Sequence, residues 1–270
     1  MAINSGAVGS SWNMYIRPKK SLGQNFLVSE SIARAEAAHA ESMNVLEVGP
    51  GYGILTKELL KRARMVVAVE KDADLCAILS SEISSRKLRL INKDFLDASP
   101  EELGLPSIDI MISNIPYNLS SKTIGFLIRS RLQAVLCLQR EFVDHMLAME
   151  GTRDYTKLSV VSRLSFSMTR IMEVKRGNFR PVPKVDSAII YLKPKAGAPS
   201  EDESRLIGLI MQHKKKGVRR AIMDSSSYLG VGKEVLSRVC VEIGAGDEKV
   251  FKLPPVMVLE IAKRLGSALE

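Results

Sequence analysis

Cysteine, histidine and long apolar runs are scarce in this 270-residue chain, and each scarcity excludes a class of protein. The 3 cysteines, Cys76, Cys137 and Cys240, stand far apart, without a C-x-x-C pair or neighbouring histidines. This argues against a disulfide framework and against a structural zinc site. No apolar run approaches bilayer-spanning length, and residues 1–13 lack the build of a signal peptide. We therefore expect a cytoplasmic protein with no metal site and no membrane association.

Acidic residues are fewer than basic residues: the formal net charge is +9 and the isoelectric point is near 9.5. Phosphates attract lysine and arginine and release counterions on binding, so the excess favours a polyanionic partner such as nucleic acid. The densest basic group comprises Lys214, Lys215, Lys216, Arg219 and Arg220. Such a group is either a solvated helix face or a phosphate-binding surface.

The most informative stretch is residues 44–56, an apolar run that breaks into three alternating glycines and resumes with helical spacing. A second apolar run ends at Glu70, in the βαβ layout where a carboxylate at a strand tip accepts hydrogen bonds from a ribose. The spacing Gly49-x-Gly51-x-Gly53 is not the G-x-G-x-x-G of pyrophosphate-binding loops, so it favours a nucleoside without phosphates. The alternative is a glycine-rich connection in some other doubly wound enzyme.

Two further predicted strands end in polar residues. The strand at 88–91 leads to Asp94, which either accepts a hydrogen bond from an adenine amino group or caps the next turn. The strand at 108–113 runs into Asn114-Ile-Pro-Tyr117, where an amide stands beside a stiffening proline and an aromatic ring. That motif predicts a polar acceptor next to a stacking platform, although asparagine and proline also form plain turns.

The remaining alternation predicts an α/β fold whose sheet carries helices on both faces. Phe179 is expected on a stiff extended loop, because prolines at 181 and 183 hold that segment open. The strand at 188–193 is expected to close the sheet as an antiparallel hairpin strand. The predicted organisation is a flexible basic N-terminal tail (1–20), a cofactor-binding domain (21–195) and, after a linker, a small helical domain (200–270).

Four stretches stand in one order along the chain: Leu22-Gly-Gln-Asn-Phe-Leu27, Glu47-Val-Gly-Pro-Gly-Tyr-Gly53, Asn114-Ile-Pro-Tyr117 and Phe179-x-Pro-x-Pro-Lys-Val-Asp-Ser187. Together they resemble the small-subunit ribosomal RNA adenine N6,N6-dimethyltransferases, in their short archaeal or bacterial form. The resemblance implies a Rossmann-like class I methyltransferase sheet, a helical C-terminal domain and S-adenosylmethionine as cofactor. It also implies a substrate, two adjacent adenines near the 3′ end of small-subunit RNA, each methylated twice, and a monomer that acts on the immature small subunit during ribosome biogenesis.

The resemblance also implies roles for individual residues. Asn25 and Leu27 would line the methionine end of the cofactor, Gly49 and Gly51 would approach its backbone, Glu70 would hold the ribose, and Asp94 would bind the adenine amine. Asn114 would belong to the cofactor-binding set as well as to the catalytic set. The catalytic set would be Asn114, Ile115, Pro116, Tyr117 and Phe179. In it the Asn114 oxygen and the Ile115 carbonyl would accept hydrogen bonds from adenine N6, while the two aromatic rings would sandwich the base. The family's basic stretch is similar to the group from Lys214 to Arg220, which would contact RNA.

Two other functions compete with this hypothesis. A large-subunit RNA adenine methyltransferase of the antibiotic-resistance type shares the Asn-x-Pro-aromatic motif and the overall plan. A non-catalytic ribosome assembly factor could retain the same pocket, although the intact Asn114 and Tyr117 argue against it. A DNA adenine methyltransferase is disfavoured, because no stretch looks like a sequence-reading domain.

Overall fold

The computed structural model of the protein describes Lys19 and residues 23–269. The predicted tail, apart from Lys19, and Leu22 of the first motif lie outside the described residues. The strands are β1 Phe26–Leu27, β2 Asn44–Val48, β3 Met65–Glu70, β4 Leu88–Asn92, β5 Ile110–Asn114, β6 Gln133–Gln139, β7 Phe166–Val174, β8 Phe179–Arg180 and β9 Ser187–Pro194. The helices are α1 Glu30–Ala37, α2 Ile54–Arg62, α3 Ala73–Glu82, α4 Pro100–Leu103, α5 Ser120–Ser130, α6 Arg140–Leu147, α7 Lys157–Ser165, α8 Glu201–Gln212, α9 Val218–Asp224, α10 Ser226–Leu229, α11 Lys233–Glu242 and α12 Pro255–Leu269.

Seven strands form the central sheet, in the order β4-β3-β2-β5-β6-β9-β7. The strands from β4 to β6 are parallel, whereas β9 is antiparallel to both of its neighbours. The chain winds outward from β2 to β4 on one side and from β5 to β6 on the other. The strand order therefore reverses between β2 and β5, the position at which open α/β sheets bind their ligands.

Alternate residues of the parallel strands enter two separate apolar clusters, one on each face of the sheet. Leu46 and Met111 belong to the cluster that includes α5 and α6, whereas Val45 and Ile110 belong to the cluster that includes α1 and α2. Strands covered on both faces are continuous in their apolar sequence, as the run from Val66 to Val69 in β3 is. The predicted α/β architecture with helices on both faces is confirmed.

The expectation that the strand at 188–193 closes the sheet is wrong. The observed strand, β9, lies inside the sheet between β6 and β7, and β7 is the edge. The physical reason is visible in the burial of the two strands. Ser187–Pro194 is buried at most positions, whereas Phe166–Val174 has many part-exposed side chains and an irregular register between Arg170 and Met172. Irregular, polar strands are suited to edges because they resist pairing with another chain.

Helices α8 to α12 follow the sheet and share a third apolar cluster. This cluster also includes Tyr155 and residues of α7, namely Val160, Val161 and Leu164. The Tyr155 hydroxyl donates to the backbone oxygen of Leu253, 2.9 Å away, inside the cluster. The predicted division between 195 and 200 falls in the segment between β9 and α8 and stays a prediction. Within residues 23–269, no helix is long and apolar enough to cross a membrane.

Candidate active site

A crevice opens at the carboxyl ends of β2 and β5. In-register pairing between these strands ends at Leu46 and Met111. Beyond that point the Ser113 hydroxyl donates to the backbone oxygen of Val48 and accepts from the Val48 amide, at 3.2 Å. The Ser113 side chain thus replaces backbone-to-backbone hydrogen bonds at this point. The two strands can separate here without leaving the buried amide and carbonyl of Val48 unpaired. The crevice is lined by Gly23–Phe26, Val48, Gly49, Gly51, Val69–Lys71, Leu75, Lys93–Phe95, Asn114–Leu119, Cys137 and Phe179.

The glycine loop forms one wall of the crevice. Gly49, Gly51 and Gly53 have φ angles of 68°, 58° and 76°, in the left-handed region that glycine adopts without steric cost. A Cβ at Gly51 would stand 2.7 Å from the ring of Phe26, and one at Gly49 would stand 3.6 Å from Pro116. The loop is therefore fitted between the N-terminal segment and the Asn-Ile-Pro-Tyr motif, which brings three of the four sequence motifs together.

Glu70 ends β3 and lies 6% exposed at the crevice. Its carboxylate accepts hydrogen bonds from the Gly51 amide at 3.2 Å and from the Asp72 amide at 2.9 Å. Burial raises the pKa of this carboxyl group, and the backbone donors oppose that shift. The carboxylate is held in one orientation at the strand tip, where each oxygen keeps a second lone pair for a ligand hydroxyl.

Asp94 lies after β4 and also lines the crevice. Its side chain accepts from the Lys71 amine at 2.7 Å and from the Leu96 amide at 3.0 Å. The Lys71 hydrogen bond lowers the pKa of Asp94. Both interpretations of this residue therefore describe the same position: it caps the short 3-10 helix Phe95–Asp97 and faces the crevice.

Asn114 is the last residue of β5, and its two amide atoms differ sharply in their surroundings. The nitrogen Nδ2 donates to Glu36 Oε2 at 3.0 Å. The oxygen Oδ1 is buried and has no hydrogen-bond partner among the described residues. An unpaired buried acceptor costs about 1–3 kcal/mol, so its presence at a crevice points to a ligand that donates to it.

The rest of the predicted catalytic set surrounds Asn114. Ile115 is buried and Pro116 half-buried, and both line the crevice. Tyr117 is half-buried, and its hydroxyl hydrogen-bonds to Ser187 Oγ at 2.7 Å, which fixes the ring. Burial raises the pKa of the Tyr117 phenol, so the ring stays neutral near pH 7. Phe179 lines the crevice but is only 3% exposed.

The pairing of β1 with β8 places two of the predicted site residues. Phe179 does not stand on a stiff extended loop: it starts the two-residue strand β8, which pairs with β1 through Leu27. The Leu27 side chain is 5% exposed and packs in the apolar cluster under α1 and α2, and the predicted contact of this residue with the cofactor stays a prediction. The alternation of a strand explains both results, because pairing β1 with β8 turns these apolar side chains inward. Asn25 lines the crevice, and its amide nitrogen donates to the Gly23 oxygen at 3.1 Å.

Comparison with known proteins identifies the family. A family model described as ribosomal RNA adenine dimethylase matches residues 16–252. The chain belongs to this family. It is 34% identical over 253 residues to the probable ribosomal RNA small subunit methyltransferase A of Thermococcus gammatolerans, which covers 91% of this chain and 88% of the relative. It is 36% identical to the protein of the same name from Methanopyrus kandleri, with 94% of each chain covered.

Two solved structures superpose on this chain and give its fold. A dimethyladenosine transferase from Plasmodium falciparum superposes with a TM-score of 0.75 at 24% identity, over 90% of this chain and 98% of that one. The 23S rRNA methyltransferase ErmE superposes with a TM-score of 0.58 at 26% identity, over 90% of this chain and 100% of that one. These matches confirm the class I methyltransferase fold and the predicted enzyme class, an S-adenosylmethionine-dependent rRNA methyltransferase.

The side chains of the basic group from Lys214 to Arg220 differ in how far they are engaged in contacts within the protein. The Lys214 amine donates to the backbone oxygens of Arg153 and Tyr155, at 2.7 and 2.6 Å, and its burial lowers the pKa of this lysine. Lys216 pairs with Asp224 at 2.5 Å. The side chains of Lys215, Lys216, Arg219 and Arg220 are exposed. Lys214 therefore contributes to the packing of the helical region, whereas the other four side chains are exposed and Lys216 is also paired with Asp224.

The sequence does not predict the residues whose side chains hydrogen-bond to the site residues or to the segments that carry them. Glu36 was not singled out, although a glutamate among the buried positions of α1 (Ile32, Ala33, Ala37) is a signal, because buried carboxylates need partners. The sequence also does not predict two contacts of Asp72. One is a salt bridge with Lys19 at 2.7 Å, and the other is a hydrogen bond from the Gln24 side chain at 3.0 Å. Within residues 23–269, no group of three or more histidine, cysteine or acidic side chains is arranged to hold a metal ion.

Proposed function

We propose that this protein transfers methyl groups to N6 of two adjacent adenines near the 3′ end of small-subunit ribosomal RNA, and that it dimethylates each of them. The observation that carries the proposal is the buried Asn114 Oδ1 beside the glycine loop, which has no hydrogen-bond partner among Lys19 and residues 23–269. Its chemistry matches the adenine amino group, which has hydrogens to donate. The relatives named small subunit methyltransferase A support the choice of RNA.

Adenine N6 is a weak nucleophile because its lone pair is delocalised into the ring. The Asn114 oxygen accepts one N–H of the amino group and the Ile115 carbonyl the other, which draws the nitrogen toward tetrahedral geometry and localises its lone pair. Fixed acceptors in a buried site require no reorganisation when the reaction occurs. The nitrogen loses its proton to water after the transfer, so the chain needs no strong base.

The residues of the crevice fit S-adenosylmethionine. When bound, this cofactor supplies an electrophilic methyl group on a sulfonium. Glu70 would hold the ribose hydroxyls, Asp94 the adenine amino group, and Asn25 with the backbone at Gly49 and Gly51 the methionine end. The glycine loop supports this assignment, because it brings backbone rather than side chains to the crevice wall.

Tyr117 and Phe179 would hold the target base. A base must leave its stack to reach such a crevice, which costs a few kcal/mol, and each aromatic contact returns about 1–3 kcal/mol. Tyr117 is anchored through Ser187 and can present a fixed ring face. Phe179 is largely covered, so it would act as the floor or edge of the base pocket rather than as a mobile clamp.

The exposed basic side chains Lys215, Lys216, Arg219 and Arg220 would bind phosphates of the RNA around the target. We propose the immature small ribosomal subunit as the partner, a cytoplasmic site of action and a monomeric enzyme. Methylation of a large-subunit adenine is not favoured, because the family model and the relatives named small subunit methyltransferase A match most of the chain, whereas the likeness to ErmE is 26% identity at a TM-score of 0.58.

One experiment tests the activity and the choice of RNA. Immature small subunits and large subunits are incubated separately with methyl-labelled S-adenosylmethionine, and the labelled adenines are mapped. We expect dimethyladenosine at two adjacent positions near the 3′ end of the small-subunit RNA, formed at least about 100-fold more slowly by the Asn114→Ala variant. Label confined to large-subunit RNA would establish methylation of a large-subunit adenine instead. Absence of label on both, with cofactor binding intact, would favour a non-catalytic assembly factor.

A further inference from the structure

Glu36 is the buried carboxyl group that stands directly behind the candidate active site. It lies in the apolar face of α1, is 1% exposed, and does not itself line the crevice. Burial raises its pKa to about 8, and its hydrogen bond with Asn114 opposes that shift. A carboxyl group in such a place is costly, so its presence calls for a specific partner. The hydrogen bond that the structure gives it joins Oε2 to Asn114 Nδ2, 78 positions along the chain, at 3.0 Å.

The orientation of the Asn114 amide decides what the crevice offers to a substrate. Oxygen and nitrogen exchange places when the amide turns by half a revolution, with little change in shape but a reversal of hydrogen-bonding character. An amino group needs an acceptor, so only the orientation with Oδ1 free is productive. With Nδ2 bound to Glu36, Oδ1 is the atom left without a partner in the described part of the chain.

The ionised form of Glu36 selects that orientation. An ionised carboxylate only accepts hydrogen bonds, so it binds Nδ2 and repels Oδ1. Its second oxygen, Oε1, has no partner among the described residues. In the protonated form, a proton on Oε1 leaves Oε2 free to accept from Asn114, so the observed hydrogen bond can persist.

We propose that Glu36 is a positioning residue that fixes the Asn114 amide with its oxygen toward the substrate amine. This inference rests on the proposed role of Asn114 in adenine methylation. Glu36 touches neither the substrate nor the cofactor in this scheme. Its contribution should appear in turnover and should vanish when Asn114 is absent.

The test compares four full-length variants with wild type: Glu36→Leu, Glu36→Met, Glu36→Gln and the control Glu58→Leu. Leucine and methionine fill the space without accepting a hydrogen bond, whereas glutamine keeps an oxygen that can face Nδ2. Glu58 is a second buried acidic residue, 7% exposed on α2, and its carboxylate accepts from Lys61 away from the crevice. The measurements are kcat on immature small subunits, the Kd of the cofactor by calorimetry, and the melting temperature.

We expect Glu36→Leu and Glu36→Met to lower kcat about 10- to 100-fold, by analogy with the loss seen when the hydrogen-bond partner that orients a metal-ligating side chain is removed. The cofactor Kd should stay within about twofold, because cofactor contacts are not rearranged. Glu36→Gln should restore most of the turnover, and Glu58→Leu should leave kcat at the wild-type level. In the Asn114→Ala background, Glu36→Leu should cause no further loss, because coupled residues are not additive.

Several outcomes would overturn the inference. Wild-type kcat in the leucine and methionine variants would show that Glu36 is not required to orient the Asn114 amide. Additive losses with Asn114→Ala would show that Glu36 acts on turnover through a residue other than Asn114. Parallel loss of cofactor binding and turnover in both variants would reduce Glu36 to a packing role. These results differ from a failure of the proposed function, in which Asn114→Ala itself keeps full turnover or the wild-type enzyme makes no dimethyladenosine.

Discussion

Replacing Asn114 with alanine removes two interactions that the structure separates clearly. The Oδ1 acceptor, buried and unpaired within the described residues, is lost from the crevice. The Nδ2 donor is lost from Glu36, which is 1% exposed and receives it at 3.0 Å. The first loss acts on the reaction and the second acts on the fold, so the two can be measured independently.

The size of each effect follows from its surroundings. Removing one preorganised hydrogen-bond partner from a buried catalytic site costs about 10²–10³ in kcat, which is roughly 2.7–4 kcal/mol of transition-state stabilisation. Leaving Glu36 without its donor costs about 1–3 kcal/mol of folding free energy. A chain of this size loses about 2–4 °C in Tm per kcal/mol, so we expect a fall of several degrees. Cofactor affinity should change little, because Glu70 and the glycine loop remain in place.

Single-turnover methylation of immature small subunits with saturating cofactor measures the chemical step alone. Calorimetry of the cofactor with the free enzyme measures binding, and thermal unfolding measures stability. Asn114→Ala should lower the single-turnover rate at least 100-fold while the Kd stays within about threefold. The reverse pattern, a normal rate with a weakened Kd, would show that Asn114 serves the cofactor rather than the adenine, and the proposed mechanism would be refuted.

The remaining predictions concern cofactor binding, RNA binding and the buried carboxyl group of Glu47. Glu70→Ala should weaken cofactor binding at least tenfold in calorimetry, because it removes the carboxylate proposed to hold the ribose; an unchanged Kd would exclude that role. Replacing Lys215 and Arg220 together with alanine should lower the slope of log K against log salt for RNA by about 0.7–0.9 per lost phosphate contact, whereas Lys214→Ala should mainly lower Tm; equal slopes would remove the pair from the RNA surface. Burial raises the pKa of Glu47 to about 8, above its value of 4.5 when unfolded, so the stability contributed by its protonated form is present at acidic pH and is lost as the pH rises through 8. Urea unfolding of Glu47→Gln should consequently show a shallower loss of stability between pH 5 and pH 8 than wild type, by up to about 1.4 kcal/mol per pH unit, and parallel profiles would contradict the assignment.

What the sequence predicted well depends on short-range patterns. The strand, glycine turn and helix around residues 44–62 are encoded locally, in continuous apolar residues, alternating glycines and helical spacing. The polar residues that end β3, β4 and β5 were predicted at the sheet edge because parallel strands share that edge. The family resemblance depended on the same local motifs, and the comparisons confirm it.

What the sequence did not predict depends on contacts between distant segments. Glu36 meets Asn114 across 78 positions, and Lys214 meets Tyr155 across 59. The inner place of β9 and the burial of Leu27 and Phe179 also follow from pairing partners rather than from local composition. Side-chain periodicity shows that a residue has a buried face, but it does not show which distant group meets that face.

Ser113 shows how such a contact shapes the site. The glycine loop and Asn114 belong to adjacent strands, and a full backbone ladder between β2 and β5 would hold their ends side by side with no crevice. The ladder stops at Leu46 and Met111, and the Ser113 hydroxyl serves both the amide and the carbonyl of Val48. Because one hydroxyl can donate and accept, a single residue replaces two backbone hydrogen bonds while the strand ends separate. The residue that takes the place of the ladder immediately precedes Asn114, so the end of the strand pairing and the polar side chain at the crevice are adjacent in the sequence.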